Sequence, residues 1–153
     1  MISLKEALIK AQSICSKQEK CIRDIMVKLD GWGLSEEHKE EVIAQLVKDK
    51  FIDEPRYAES FVNDKFRFNK WGKIKIKYQL MLKGISETDI ENALQRIDMN
   101  EYNAVLQQII EQKMNSLKNE KDPRKKYQKI LTFTYNRGFS FEDSNDLIKN
   151  VLK

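Results

Sequence analysis

The sequence predicts an all-α protein, built as an elongated tandem array of three three-helix repeats. Charged residues make up 34% of the 153 positions, whereas only five residues are glycine and two are proline. That composition suits helices better than sheets with many turns. A short motif of glycine, a large apolar residue and serine also occurs three times, and a period near 50 residues is typical of repeat proteins. We place the repeats at residues 1–53, 54–99 and 100–153.

The three copies of the motif predict tight turns between consecutive helices. They are Gly33-Leu34-Ser35, Gly84-Ile85-Ser86 and Gly138-Phe139-Ser140. Each serine can cap the next helix by accepting a backbone N–H bond, and each glycine can adopt the positive φ that ends the preceding helix. Apolar residues follow each serine at offsets of 7, 8 and 11, which traces one face of a helix. They are Val42, Ile43, Leu46, Ala93, Leu94, Ile97, Leu147, Ile148 and Val151.

The remaining helices follow from amphipathic patterns and from position in the repeat. Stretches 3–14, 55–69 and 101–117 supply one helix to each repeat. Segment 71–86 (WGKIKIKYQLMLKGIS) alternates lysine and isoleucine as a strand would, but it stands where the second helix of the middle repeat belongs. We predict a helix there, with a basic edge strand as the alternative. Its two apolar arcs should both be buried between neighbouring helices. They are Ile74, Tyr78, Met81 and Leu82 on one side, and Ile76 and Leu80 on the other.

The net charge of +4 is distributed unevenly along the chain. Residues 65–83 contain seven Lys or Arg and no acid, and residues 113–137 contain eight against two acids, so the remainder is net negative. Like charges that repel one another contribute nothing obvious to stability, so we predict that these segments attract an anionic partner. The predicted contact residues are Arg67, Lys70, Trp71, Lys73, Lys75, Lys77, Lys83, Lys125, Lys126 and Arg137.

Aromatic residues interleave with the first basic segment and could stack on nucleic-acid bases. The candidates are Phe66, Phe68, Trp71 and Tyr78, and core packing is the alternative for each. Trp71 is the strongest candidate, because the adjacent Gly72 should leave room for a close approach.

No motif in the sequence indicates an enzyme, a metal or a cofactor. The chain lacks a Gly-rich phosphate loop, a Cys–His pair and metal-spaced ligands. Cys15 and Cys21 are expected to be ordinary, partly buried thiols, and His38 a solvated helix residue. There is no apolar run of about 18 residues and no signal-peptide pattern, so we expect a cytoplasmic monomer without a membrane span. A nuclease built from scattered carboxylates is the catalytic alternative, which a metal-dependent cleavage assay would decide.

The run from Phe51 to Ser86 resembles the RecX family of regulators of the RecA recombinase. The family's F-[IL]-[DN]-D-x-R-Y-A pattern is met by FIDEPRYA, with Glu54 replacing the second acid. The family's later pattern, K-x-x-G-x-x-x-I-x-x-x-L-x-x-K-G-[IV], is matched from Gly72 to Ile85. We assign the matching residues a structural role, with Asp53 as a helix N-cap. They are Phe51, Asp53, Arg56, Tyr57, Gly72 and Gly84.

The resemblance implies three tandem three-helix repeats and a role in recombination and DNA repair. It implies binding along the groove of the RecA filament on single-stranded DNA, with inhibition of strand exchange and ATP hydrolysis. The partners are then the filament and single-stranded DNA, which the protein alone would bind weakly. Changing Lys70, Lys73 and Lys77 together to Glu should abolish that inhibition. The alternatives are a helical DNA-binding module or transcription factor without a recombinase target, and a structural helical adaptor.

Overall fold

The computed structural model describes residues 2–153, which form nine α-helices and no strand. The all-α prediction is confirmed, and the segment with alternating lysine and isoleucine contains a helix instead of an edge strand. The helices are α1 (Leu4–Lys17), α2 (Ile22–Gly31), α3 (Glu36–Lys48), α4 (Glu54–Arg67), α5 (Lys73–Leu82), α6 (Glu87–Leu94), α7 (Met99–Ser116), α8 (Pro123–Asn136) and α9 (Phe141–Leu152).

The three predicted turns share one backbone geometry. Gly33, Gly84 and Gly138 have φ values of 77°, 78° and 96°. The next residue in each turn donates its N–H to the carbonyl five residues before it, at 3.3, 3.1 and 3.0 Å, which is the pattern of a Schellman helix end. The serine that follows accepts a backbone N–H from three residues further on, at 3.2, 3.2 and 3.1 Å. The repeated motif therefore forms the same helix–turn–helix corner three times.

Contacts between residues divide the chain into two compact units. Unit 1 combines Met1–Phe61 with Leu80–Ala93, and unit 2 combines Val62–Gln79 with Leu94–Lys153. Helices α4 and α5 each contribute residues to both units. The repeat boundaries that we place near residues 53 and 99 stay a prediction.

Unit 1 has its own apolar core around α1, α2 and α3. Small residues on one face of α1, at intervals of four, let this helix pack closely against its neighbours. Both cysteines are free and buried, and burial raises the pKa of each thiol. The core residues are Ala7, Ala11, Cys15, Ile25, Leu29, Leu34, Val42, Leu46 and Ile52.

The family motif joins the end of α3 to the start of α4 within unit 1. Asp53 caps α4, because its Oδ1 accepts the N–H of Arg56 at 3.0 Å. The Arg56 guanidinium pairs with Glu19 and, at 3.8 Å, with Asp53. It also donates to the Lys50 carbonyl at 3.0 Å. The predicted N-cap is confirmed, and Arg56 also holds the backbone that follows the end of α3.

We expect Asp53→Ala to lower the free energy of unfolding by about 1 kcal/mol, because the first turn of α4 loses its cap. Urea denaturation followed by circular dichroism measures the change. Asp53→Asn is the matched control, since asparagine keeps the acceptor oxygen and is an equally good cap. An alanine variant with the wild-type denaturation midpoint would contradict the assignment.

Unit 2 is organised around a row of three aromatic rings. The Phe66 and Tyr102 centroids lie 5.6 Å apart, and those of Tyr102 and Phe139 lie 5.2 Å apart. Burial raises the pKa of Tyr102 to about 12, and its hydroxyl oxygen accepts the backbone N–H of Lys73 at 2.9 Å. The row therefore ties the end of α4 and the start of α5 to α7 and to the turn before α9.

The packing of α5 differs from the prediction. Ile76 and Leu80 are buried as expected, but the other arc is exposed to solvent. Ile76 and Leu80 lie one turn apart on the buried face of α5, whereas Ile74 and Tyr78 are each two residues from Ile76, about 200° around the helix. The prediction that both arcs are buried is therefore wrong. The exposed residues are Ile74, Tyr78, Met81 and Leu82, at 53, 58, 57 and 50% exposure.

Candidate nucleic-acid interface

The 68–72 loop, which joins α4 to α5, is held by backbone hydrogen bonds within unit 2. Trp71 donates its N–H to the Lys65 carbonyl at 3.0 Å, and Gly72 donates to the Arg137 carbonyl at 2.7 Å. Lys70 adopts a left-handed conformation with φ of 56°, which lets the chain reverse at the end of α4. The loop is thus fixed at its base and attached to the turn between α8 and α9.

Gly72 and Gly138 let two backbones approach more closely than side chains would permit. A Cβ at Gly72 would lie 2.6 Å from the backbone nitrogen of Phe139, and closer still to the Gly138 carbonyl. The Gly138 carbonyl accepts the N–H of Ile74 at 3.0 Å. The space that we expected beside Gly72 is therefore filled by backbone, because the third turn of the repeat packs there.

This close approach brings the two basic segments of the sequence together. Arg137 donates a guanidinium N–H to the carbonyl of Asn69 in the 68–72 loop at 3.3 Å. The Arg137 Cζ atom lies 4.9 Å from the centre of the Phe133 ring, and the Lys113 Nζ lies 5.1 Å from the same centre. One aromatic ring of α8 thus holds a cation from α7 beside the cation that touches the loop.

Trp71, a residue of the loop itself, also has cations over its ring. The Nζ atoms of Lys65 and Lys75 lie 4.9 and 4.5 Å from the centre of its ring. The side chain is half-buried, so its contact surface is largely taken by protein. Trp71 therefore positions two lysines through cation–π contacts instead of presenting an open face.

Lys70 and Lys73 extend the positive surface and make contacts with neutral groups. Lys70 donates to the amide oxygen of Gln108 at 3.1 Å. The Lys73 Nζ lies 3.3 Å from the Met99 sulfur and 5.0 Å from the centre of the Tyr102 ring. Neutral partners position an ammonium group without cancelling its charge.

Two of the predicted contact residues are instead compensated by acids from distant parts of the chain. Arg67 pairs with Glu101 at 2.5 Å, and Lys83 pairs with Asp24 at 2.7 Å. The hydrogen bond to Asp24 raises the pKa of Lys83. Burial alone would raise the pKa of Asp24, but its hydrogen bonds from Lys83 and Cys21 lower it. The expectation of seven uncompensated charges is therefore wrong for these two, although their part in binding stays a prediction.

The other predicted residues lie outside the loop region or on its flank. Lys125 and Lys126 are in the first turn of α8, at least 11 residues and thus about 16 Å along the helix from Arg137. Lys77 is half-buried on α5. We call the cations around the 68–72 loop the cationic cluster. Its members are Lys65, Lys70, Lys73, Lys75, Lys113 and Arg137.

The contact residues predicted from the sequence did not include Lys65, Lys113 or Phe133. One local signal was available: Phe133 and Arg137 are four residues apart, a spacing that brings side chains together on a helix. Among residues 2–153, no group of three or more His, Cys, Asp or Glu side chains is placed to hold a metal ion. Over the same range, no helix has both the length and the apolar character that a membrane span requires.

Two family models match the chain, described as the second and third three-helix domains of RecX, over residues 53–94 and 100–149. Regulatory protein RecX of Clostridium tetani is 36% identical over 143 residues, which cover 93% of this chain and 65% of the relative. The Clostridium botulinum Eklund 17B protein of the same name is 33% identical over 99% of this chain and 70% of the relative. The chain belongs to the RecX family. It spans about two thirds of the length of these relatives.

Solved RecX structures agree with this fold. A crystal structure of regulatory protein RecX superposes with a TM-score of 0.83 at 26% identity, covering 96% of this chain and 73% of the other. RecX from Lactobacillus salivarius gives a TM-score of 0.86 at 24% identity, covering 97% and 96% of the two chains.

The structure gives physical reasons for the two glycines of the RecX motif. Gly84 needs its positive φ of 78°, and a Cβ there would lie 3.1 Å from the Arg23 guanidinium. Gly72 needs the absence of a side chain, because the Gly138 backbone occupies that space. Each position therefore constrains the local backbone, and the structural role of the whole motif stays a prediction.

Proposed function

We propose that this RecX-family protein binds the filament that the RecA recombinase forms on single-stranded DNA, and inhibits strand exchange and ATP hydrolysis. The observation that carries the proposal is the cationic cluster. Six cations from α4, the 68–72 loop, α5, α7 and the end of α8 gather in unit 2. Aromatic rings or neutral side chains position four of them, which leaves their charge available to phosphates: Lys70, Lys73, Lys75 and Lys113.

The filament offers both a negatively charged surface and an apolar surface, and this part of the protein can bind either. Single-stranded DNA supplies phosphates for Lys70, Lys75 and Arg137. The recombinase supplies apolar protein surface, which suits the exposed side chains of Ile74 and Tyr78 on α5. A composite target explains why basic and apolar surfaces share one short helix.

The proposal is tested by titrating the protein into cognate RecA assembled on single-stranded DNA. We expect both ATP hydrolysis and strand exchange to fall in proportion to filament occupancy. Unchanged rates at saturating protein, with binding confirmed by co-sedimentation, would contradict the proposal.

Binding to bare DNA separates this function from that of a DNA-binding module without a recombinase target. At physiological salt we expect weak binding to bare DNA and strong binding to the filament. Tight, sequence-specific binding to bare duplex would favour a transcription factor instead. Filament binding that does not respond to salt would indicate a structural adaptor, because phosphate contacts release counterions.

A further inference from the structure

Phe68 is the most exposed of the aromatic residues that interleave with the first basic segment. Its side chain is 79% exposed, whereas Tyr78 is 58% exposed and Phe66 only 2%. Trp71 is half-buried, with the ammonium groups of two lysines over its ring. Phe68, rather than Trp71, therefore presents an open aromatic face to solvent.

Single exposed apolar side chains are common and need no function, but the backbone that carries Phe68 is unusually well held. The N–H of Phe68 donates to the Asp64 carbonyl at 2.9 Å. The next residue, Asn69, accepts a hydrogen bond from Arg137 at 3.3 Å. Beyond the left-handed Lys70, Trp71 closes the loop onto Lys65 at 3.0 Å. A ring on a pinned loop loses little conformational entropy when it binds a partner.

The surroundings of Phe68 match the chemistry of an unpaired nucleotide. Arg137 contacts the residue immediately after Phe68, and Lys70 follows one position later. An exposed π face beside cations can stack on a base while the cations contact the flanking phosphates. A duplex offers the phosphates but keeps its bases stacked on each other, so it gives the ring no equivalent surface.

We propose that Phe68 stacks on an unpaired base and makes the protein prefer single-stranded over double-stranded DNA. The preference is tolerant of sequence, because every base has a π face. The inference rests on the proposed function, since it assumes that the cationic cluster faces DNA. In this proposal Phe68 distinguishes single-stranded from double-stranded DNA, whereas the lysines and Arg137 attract the phosphates of both.

The test compares binding of the full chain to three probes at fixed low salt: a short oligothymidylate, the same backbone with abasic positions, and a duplex of equal length. We expect Phe68→Ala to lose about 5- to 140-fold in affinity for the oligothymidylate, and little for the abasic strand or the duplex. Phe68→Leu should lose nearly as much, because it keeps apolar bulk and lacks a π face. Phe68→Trp should retain the wild-type preference.

Tyr135→Ala is the matched control, because Tyr135 is 68% exposed in the same unit. It lies two residues from both Phe133 and Arg137, and hence on the opposite side of α8. It should bind all three probes like wild type. If Phe68→Ala and wild type are both folded, as shown by circular dichroism, and bind the oligothymidylate equally well, the role of Phe68 is overturned. The proposed function is not affected by that result. Failure of the wild type to bind either single strands or the filament would overturn the proposed function instead.

Discussion

Changing Lys70, Lys73 and Lys77 together to Glu should abolish inhibition of the RecA filament while leaving the protein folded. The change reverses two charges of the cationic cluster, at Lys70 and Lys73, where we place the DNA backbone, and a third charge on its flank, at Lys77. Like charges brought together at an interface cost several kcal/mol, so filament affinity should fall on the order of 100-fold or more. The ATPase titration measures the loss directly.

The fold should survive this change for identifiable reasons. Lys73 is the first residue of α5, where an acid interacts favourably with the helix dipole. A glutamate at position 70 can accept a hydrogen bond from the amide group of Gln108 after that amide rotates. Circular dichroism and urea denaturation confirm the folded state before the assay.

The control for net charge is a variant with the same change elsewhere. Lys5, Lys28 and Lys48 are exposed residues of unit 1, and their joint change to Glu alters the total charge equally. This variant should still inhibit at concentrations close to wild type. Full inhibition by the Lys70, Lys73 and Lys77 variant, or equal loss in both variants, would remove the cationic cluster from the mechanism.

Gly72→Ala should strongly destabilise unit 2. The new Cβ would overlap the backbone of Gly138 and Phe139, and backbone atoms cannot swing away as a flexible side chain can. Relief requires separating the 68–72 loop from the turn before α9, which breaks the hydrogen bonds Gly72–Arg137 and Ile74–Gly138. We expect a loss of about 3 kcal/mol or more, or failure to fold. Urea denaturation, or the soluble yield if folding fails, measures the effect.

Gly31→Ala is the matched control for this glycine substitution. Gly31 is the last residue of α2, and a Cβ there meets nothing within 4 Å. Alanine favours helix over glycine by up to about 1 kcal/mol, so this variant should be as stable as wild type or slightly more stable. If Gly72→Ala unfolds at the wild-type denaturant concentration, the close approach of the two turns is not present in solution.

Helices and turns could be predicted from the sequence because their causes are local. A capping serine, a glycine with positive φ and apolar residues at helical spacing all lie within about 12 residues of each other. The same holds for Asp53, whose capping bond reaches only to Arg56. These signals identified the three turns and the helical nature of α5.

The arrangement of the candidate interface could not be predicted, because it depends on residues far apart in the chain. Nothing near Gly72 in the sequence shows that Gly138 will lie against it. Nothing near Arg67 indicates that Glu101 will neutralise it. Likewise, the two apolar arcs of α5 are similar in composition, and only the positions of the other helices decide that Ile76 is buried and Ile74 is not.

The salt dependence of filament binding tests most directly whether the lysines beside the 68–72 loop contact DNA phosphates. Affinity for RecA on single-stranded DNA is measured over a range of salt concentrations for wild type and for the Lys70, Lys73 and Lys77 variant. Each lost phosphate contact on a single strand lowers the slope of log affinity against log salt by about 0.7. We predict a slope shallower by about 1.4 in the variant, from the two cluster residues Lys70 and Lys73, whereas equal slopes would contradict the proposed phosphate contacts.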